Sequence, residues 1–185
     1  GISLFQRELN LGSVAMVLSK PISRSSFLLG KYLGQIFVQT LVTIAMGGLT
    51  ALICRSSEEP ISYLALSQTI IMILFEVYVV TAFAYFFAVN AGPITAVLAT
   101  LCFFLFGHYR ESASKAVSEG AGETVWAILK NAIPNLEIFN MKTLASYGLS
   151  LPWDQVFLAA TYSAICAAAY LTAAILCFGR KDILT

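Results

Sequence analysis

Two ionisable side chains offer chemistry near the apolar runs, Glu76 within a long one and His108 at the end of a shorter one, and any chemistry in this chain has to start from them. Glu76 is the single charge between Ile61 and Val89. If that run crosses a membrane, an ionisable group within it costs about 2.5 to 3.5 kcal/mol on insertion scales, so it requires a partner or a proton. His108 is the sole histidine, which excludes His-x-x-x-His metal sites and leaves no histidine-rich ligand set. Its plain role is a polar side chain at a membrane boundary. The four cysteines, Cys54, Cys102, Cys166 and Cys177, lie in or beside apolar runs and never as C-x-x-C. They read as small packing residues, with neither a zinc site nor a disulfide framework indicated. Gly30-Lys31 invites comparison with a phosphate-binding loop, but Ser25 stands where the first glycine belongs and Tyr32 where a magnesium-binding Ser or Thr belongs. No Gly-x-Ser-x-Gly elbow or Cys-His pairing points to a nucleophilic enzyme. The expectation is a protein with no catalytic residues, no metal site and no cofactor of its own. A membrane-embedded enzyme ranks last among its readings, because Glu76 and His108 are expected at different depths.

The elements that carry these residues follow from composition. Hydrophobic residues make up 58% of the 185 and charged residues 11%, against roughly 25% charged in a soluble domain. The apolar residues come in uninterrupted runs rather than the short periods of an aqueous core. With 11 Lys and Arg against 10 Asp and Glu, there is no bulk basic field to attract nucleic acid. Four spans are visible, each judged against the roughly 20 residues that cross a bilayer core. The first is Tyr32 to Leu52. The second, Ile61 to Val89, follows the polar hairpin Arg55-Ser-Ser-Glu-Glu-Pro60. Asn90-Ala-Gly-Pro93 has the residues that stop one helix and start the next, and the third span, Ile94 to about Tyr109, is short. Gln155 to Gly179 is the last, rich in small residues (Ala159, Ala160, Ser163, Ala167 to Ala169) that let helix backbones approach closely. The predicted fold is all-α, a polytopic membrane helix bundle with an outer helical loop over 110–154. Within that loop Val125, Trp126, Leu129 and Ile133 fall at helical spacing and predict an amphipathic helix on the membrane surface or on the bundle. The division along the chain is 1–31, 32–109, 110–154 and 155–185.

Four spans place both ends on one side. Arg7, Lys20, Arg24, Lys31, Arg180 and Lys181 fall there, against Arg55 in the short hairpin opposite; Arg110, Lys115, Lys130 and Lys142 lie in the long loop, which translocates with less regard to charge. The ends are therefore expected in the cytoplasm. No initiator Met or signal peptide precedes Gly1, so a start partway into a longer polypeptide is expected. Glu76 is expected to face the bundle interior or a translocation path. Met72, Ile73, Val79 and Val80, its own helical neighbours, cannot hydrogen-bond it, and Gln39, Thr40 or Thr43 on the first span are its expected partners. Its role is either a hydrogen bond that holds helices together or the handling of a proton or cargo.

The segment from Phe5 to Lys31 is amphipathic and too polar to cross, and on physical grounds it reads equally as an interfacial helix with snorkelling Lys and Arg. Its pattern is more specific. Arg7-Glu8, Gly12, Leu18-Ser-Lys-Pro-Ile-Ser-Arg24 and Phe27-Leu-Leu-Gly-Lys31 resemble the cytoplasmic segment before the third span in permeases of type-two ABC exporters. In looser form they also resemble the eukaryotic G subfamily. The likeness continues through Glu76, Gly107-His108, Pro134-Asn-Leu-Glu-Ile-Phe-Asn140 and Phe178-Gly-Arg-Lys-Asp182, and within the family it is nearest to bacterial permeases of multicopper-enzyme maturation. The resemblance implies six spans, of which four are visible here, and residence in the bacterial inner membrane as a multi-pass protein.

It also implies that Arg7, Glu8, Leu9, Gly12, Ser13 and Met16 form a coupling helix docked on a cytoplasmic ABC ATPase subunit. A second permease copy or homologue would pair with this one. ATP and magnesium would belong to the ATPase, and Gly30-x-x-x-Gly34 would let the first span pack closely at the membrane entrance, or serve plain helix packing. The rival is a non-transporting membrane scaffold, an anchor that holds a cytoplasmic partner through residues 1–31 and an extracytoplasmic one through 110–154.

Overall fold

The computed structural model of the protein describes residues 23–55, 62–110, 133–141 and 147–180. Their regular elements are helix α1 (Arg24–Arg55), α2 (Tyr63–Asn90), α3 (Pro93–His108), a 3-10 turn (Leu136–Phe139) and α4 (Trp153–Arg180). There is no strand among the described residues. At 1.5 Å per residue, α1, α2 and α4 are long and apolar enough to cross a membrane. The 16 residues of α3 reach only about 24 Å, short of a hydrocarbon core of about 30 Å. The chain is a membrane helix bundle.

Local chemistry sets the boundaries. The Ser23 hydroxyl accepts from the Ser26 N–H at 3.2 Å, so α1 starts at Arg24, eight residues before the span expected at Tyr32. Residues 24–31 are consequently continuous with the membrane helix. Ser62 caps α2 in the same way, accepting from the Ala65 N–H. Ala91 and Gly92 are extended, and Pro93, which lacks an N–H, opens α3. Two residues thus join α2 to α3, which forces them into antiparallel contact.

Packing makes α2 the central helix, in contact with α1, α3, α4 and the 3-10 turn. On α4, Ala159, Ser163, Ala167 and Ala174 are buried, as the small-residue pattern of that span predicts. By contrast α1 exposes Leu33, Phe37, Leu41, Ile44, Leu49 and Ile53 around its circumference, an apolar coat suited to lipid. A Cβ built at Gly30 or Gly34 meets nothing within 4 Å. Among the described residues nothing packs closely on that glycine pair, because α1 turns its Leu28 and Tyr32 side to the bundle instead. The tight approach of α1 lies further along, where Gly47 meets the Ile70 side chain.

The other departure is at the end of the bundle where α3 stops. Leu136, Phe139 and Met141, expected in an extramembrane loop, are at most 2% exposed. They pack with Met72, Val79, Phe103, Val156 and Ala159. The shortness of α3 explains it: the 3-10 turn fills the room that a longer helix would take. Leu136 sits directly on Gly107, where a Cβ would come within 2.6 Å of its side chain. Of the amphipathic helix expected over 123–133, only Ile133 is among the described residues, in irregular backbone; Val125, Trp126 and Leu129 lie outside them.

Candidate functional site

The polar side chains inside the bundle form a seam along α2, and each is positioned by the helix opposite it. Gln68, with no exposed surface, donates from Nε2 to the Leu151 carbonyl at 2.9 Å and accepts the Leu151 N–H on Oε1 at 2.9 Å. One side-chain amide therefore satisfies both backbone groups of a residue that precedes α4 and has no helical partner there. The Ser163 hydroxyl donates to the Phe75 carbonyl at 3.0 Å. Toward α1, Thr81 donates to Gln39 Oε1 at 3.0 Å, and Thr40 shares a hydrogen bond of 2.8 Å with the Tyr78 hydroxyl. Tyr32 donates to the Tyr78 carbonyl and Tyr85 to the Lys31 carbonyl, each at 3.2 Å. Thr43 is half-buried on α1.

Glu76 is 7% exposed. Its Oε1 lies 3.5 Å from His108 Nε2. The pairing corrects two expectations. Gln39 and Thr40, expected partners of Glu76, are engaged with Thr81 and with Tyr78, and the two ionisable groups are at one depth rather than two. Antiparallel geometry accounts for it. Glu76 stands 14 residues before Asn90, about 21 Å along α2, and His108 stands 15 residues after Pro93, about 22.5 Å along α3. A short α3 leaves its final residue inside the bundle instead of at its boundary.

The imidazole is fixed at its other nitrogen. His108 Nδ1 lies 3.3 Å from the Phe104 carbonyl, and a carbonyl oxygen only accepts, so Nδ1 is the donor in that contact. Nε2 is buried and has no formed hydrogen bond; at 3.5 Å it is at ion-pair distance from the carboxyl. The Phe104 ring lies against the imidazole, with centroids 4.6 Å apart. Around it the 3-10 turn is tied down by the Asn135 N–H, which donates to the Tyr162 hydroxyl at 2.8 Å, and by Arg110, whose guanidinium donates to the Ile133 carbonyl at 3.4 Å. No group of three His, Cys, Asp or Glu able to hold a metal occurs among the described residues. What this seam can do is hold the helices in register through hydrogen bonds between them.

Sequence reasoning missed Gln68, Ser163 and the tyrosine hydroxyls as cross-links. Apart from the Tyr78 hydroxyl, which meets the Thr40 side chain, each bonds a backbone group of another segment, and only the presence of a polar residue in an apolar run could have flagged it. Arg7, Glu8, Leu9, Gly12, Ser13 and Met16 lie outside the described residues.

This combination of apolar helices and a polar seam hydrogen-bonded across the bundle defines a polytopic membrane protein. A family model described as ABC-2 family transporter protein matches residues 1–183. The chain therefore belongs to the ABC-2 family, whose members are the membrane permease components of ABC transporters. No curated protein and no solved structure matches the chain significantly.

Proposed function

We infer that this chain is the permease subunit of an ATP-driven ABC exporter in the bacterial inner membrane, with both ends in the cytoplasm. The observation that carries the reading is the family match over residues 1–183, on a bundle whose long helices are apolar enough to span. Arg7, Glu8, Leu9, Gly12, Ser13 and Met16 dock on a separate cytoplasmic ATPase, which holds ATP and magnesium. A second permease copy or homologue completes the path. The motif run Leu18-Ser-Lys-Pro-Ile-Ser-Arg24 supports placement with the multicopper-enzyme-maturation permeases.

The unbroken course of α1 from Arg24 to Arg55 supports the mechanical side of this reading. A push on the docked segment enters a continuous helix, and that helix is joined to α2 at its start through Tyr32 and Tyr85. Nucleotide-driven motion then reaches the membrane without a hinge between Arg24 and Tyr32.

The test is purification from native membranes in mild detergent, with identification of what accompanies the permease. A stoichiometric ATPase is expected. Glu8→Arg and Gly12→Trp should reduce its recovery while leaving membrane insertion unchanged, because truncating a desolvated interfacial charge costs about 2 to 5 kcal/mol. If the ATPase stays with both variants and its transport-linked hydrolysis persists, the docking surface is elsewhere. If no ATPase accompanies the wild type, the scaffold reading replaces this one.

A further inference from the structure

We propose that the bundle carries a seat for one acyl chain of a zwitterionic phospholipid, in a cavity between α4, Met72 of α2 and the 3-10 turn. The cavity has a volume of about 530 Å³, a size typical of small-molecule sites. On α4 its lining includes Gln155, Leu158, Ala159, Tyr162 and Ile165, which recur at the three- and four-residue steps that stack side chains along one side of a helix. Ile138 and Leu151 line the end nearest the start of α4. Met72 and Ala159 are each 1% exposed and make the floor, whereas Leu158 and Ile165, each 69% exposed, stand at the rim. Because that rim lies on the outside of an apolar span, it opens to lipid.

Depth and chemistry identify the occupant. Tyr63 at the start of α2 and Trp153 at the start of α4 are exposed, and amphipathic rings in such places mark a membrane–water boundary. From Gln155 to Ile165 the helix rises about 15 Å, and one leaflet is half of a hydrocarbon core of about 30 Å. The cavity therefore runs from the boundary towards the bilayer midplane, the course of a single acyl chain. Two hydroxyls on the lining are engaged by the protein itself. Thr161 shares its hydrogen between the Phe157 and Leu158 carbonyls, at 3.1 and 2.9 Å, and the Tyr162 oxygen accepts the Asn135 N–H at 2.8 Å. A cavity with apolar walls stays dry and takes hydrocarbon. Passing from lipid into it brings a chain no hydrophobic gain, so wall contacts and the headgroup must hold it. The described charges at this end, Arg110, Glu137 and Asp154, are of both signs. They suit a headgroup that pairs a phosphate with an ammonium better than an anionic one. The proposal does not rest on the transport reading, since it concerns a resident lipid and not a cargo.

The experiment places the full protein in vesicles of phosphatidylethanolamine and phosphatidylglycerol, with a trace of phosphatidylethanolamine that carries a photoactivatable diazirine midway along one acyl chain. After illumination, attachment sites are mapped by mass spectrometry. Lipid around the bundle reaches exposed residues such as Leu41 on α1, whereas only a chain inside the cavity reaches the buried Met72 and Ala159. Attachment at Met72 and Ala159 is expected in the wild type. It should be lost in the double variant Leu158→Trp, Ile165→Trp, whose larger side chains fill the cavity from the rim, while attachment at Leu41 is unchanged. The same diazirine chain on phosphatidylglycerol should attach less at Met72. Wild-type attachment confined to exposed residues overturns the proposal. So does equal attachment at Met72 by the two probes, and both of these results are read without the variant.

Discussion

The bundle has two cores built on different principles. At the end marked by the α2–α3 turn, Leu28 and Tyr32 of α1, Tyr85, Ala88 and Val89 of α2, Ala96 of α3 and Phe178 of α4 pack as helix against helix. Their polar atoms are tied to backbone carbonyls, and the Tyr32 and Tyr85 rings meet edge to face at 6.0 Å. At the other end, where α3 stops short, a non-helical segment completes the core, and Phe139, Met141 and Leu136 stand where helix side chains would otherwise be. Single contacts seat that segment: Leu136 on Gly107, Asn135 on Tyr162, Leu151 on Gln68. The first core is redundant, whereas the second depends on a few individual residues. Point changes should therefore be far more damaging at the second.

Gln68→Leu is expected to have the largest effect. It removes two hydrogen bonds at once and strands the N–H and C=O of Leu151, and each buried unsatisfied group costs about 1 to 3 kcal/mol. Most of the folded protein recovered by size exclusion after mild heating should be lost. Gly107→Ala comes next, because the new methyl would sit 2.6 Å from the Leu136 side chain, and overpacking of this kind costs about 1 to 3 kcal/mol. Its control is Gly34→Ala, where a methyl meets nothing; the same assay should show that variant at or slightly above wild type, since alanine is the better helix former. The smallest destabilisation is expected in the redundant core. Tyr85→Phe removes one hydrogen bond to the Lys31 carbonyl, worth about 0.5 to 1.5 kcal/mol, and retains the ring packing. A Tyr85→Phe loss as large as that of Gln68→Leu would break the contrast between the cores.

How much of this was legible in the sequence divides along the same line. The long helices were readable because lipid requires apolar length, and uncharged runs mark it. Their ends moved where a small polar residue intervened, as Ser23 does for α1. The family likeness was readable from the ordered motifs between Arg7 and Asp182, and the family model bears it out. The seam was much less so. Gln68 and Leu151 are 83 residues apart, and nothing local in either announces the other. Leu136, Phe139 and Met141 belong to a segment whose prolines and charges read as loop, and only the shortness of α3 hinted at room for it. The Glu76–His108 pair was within reach: residue spacing from the Asn90-Ala-Gly-Pro93 turn equalises their depths, once His108 is no longer assigned to the membrane boundary.

That turn makes the α2–α3 hairpin a ruler. Because only Ala91 and Gly92 separate the helices, the rise from the turn to Glu76, about 21 Å, must nearly match the rise from the turn to His108, about 22.5 Å. One residue inserted into α3 would carry the imidazole about 1.5 Å along the axis and about 100° around it, away from the carboxyl and from the Gly107–Leu136 seat together. A change in the length of either arm thus keeps the pair together only when the other arm changes with it.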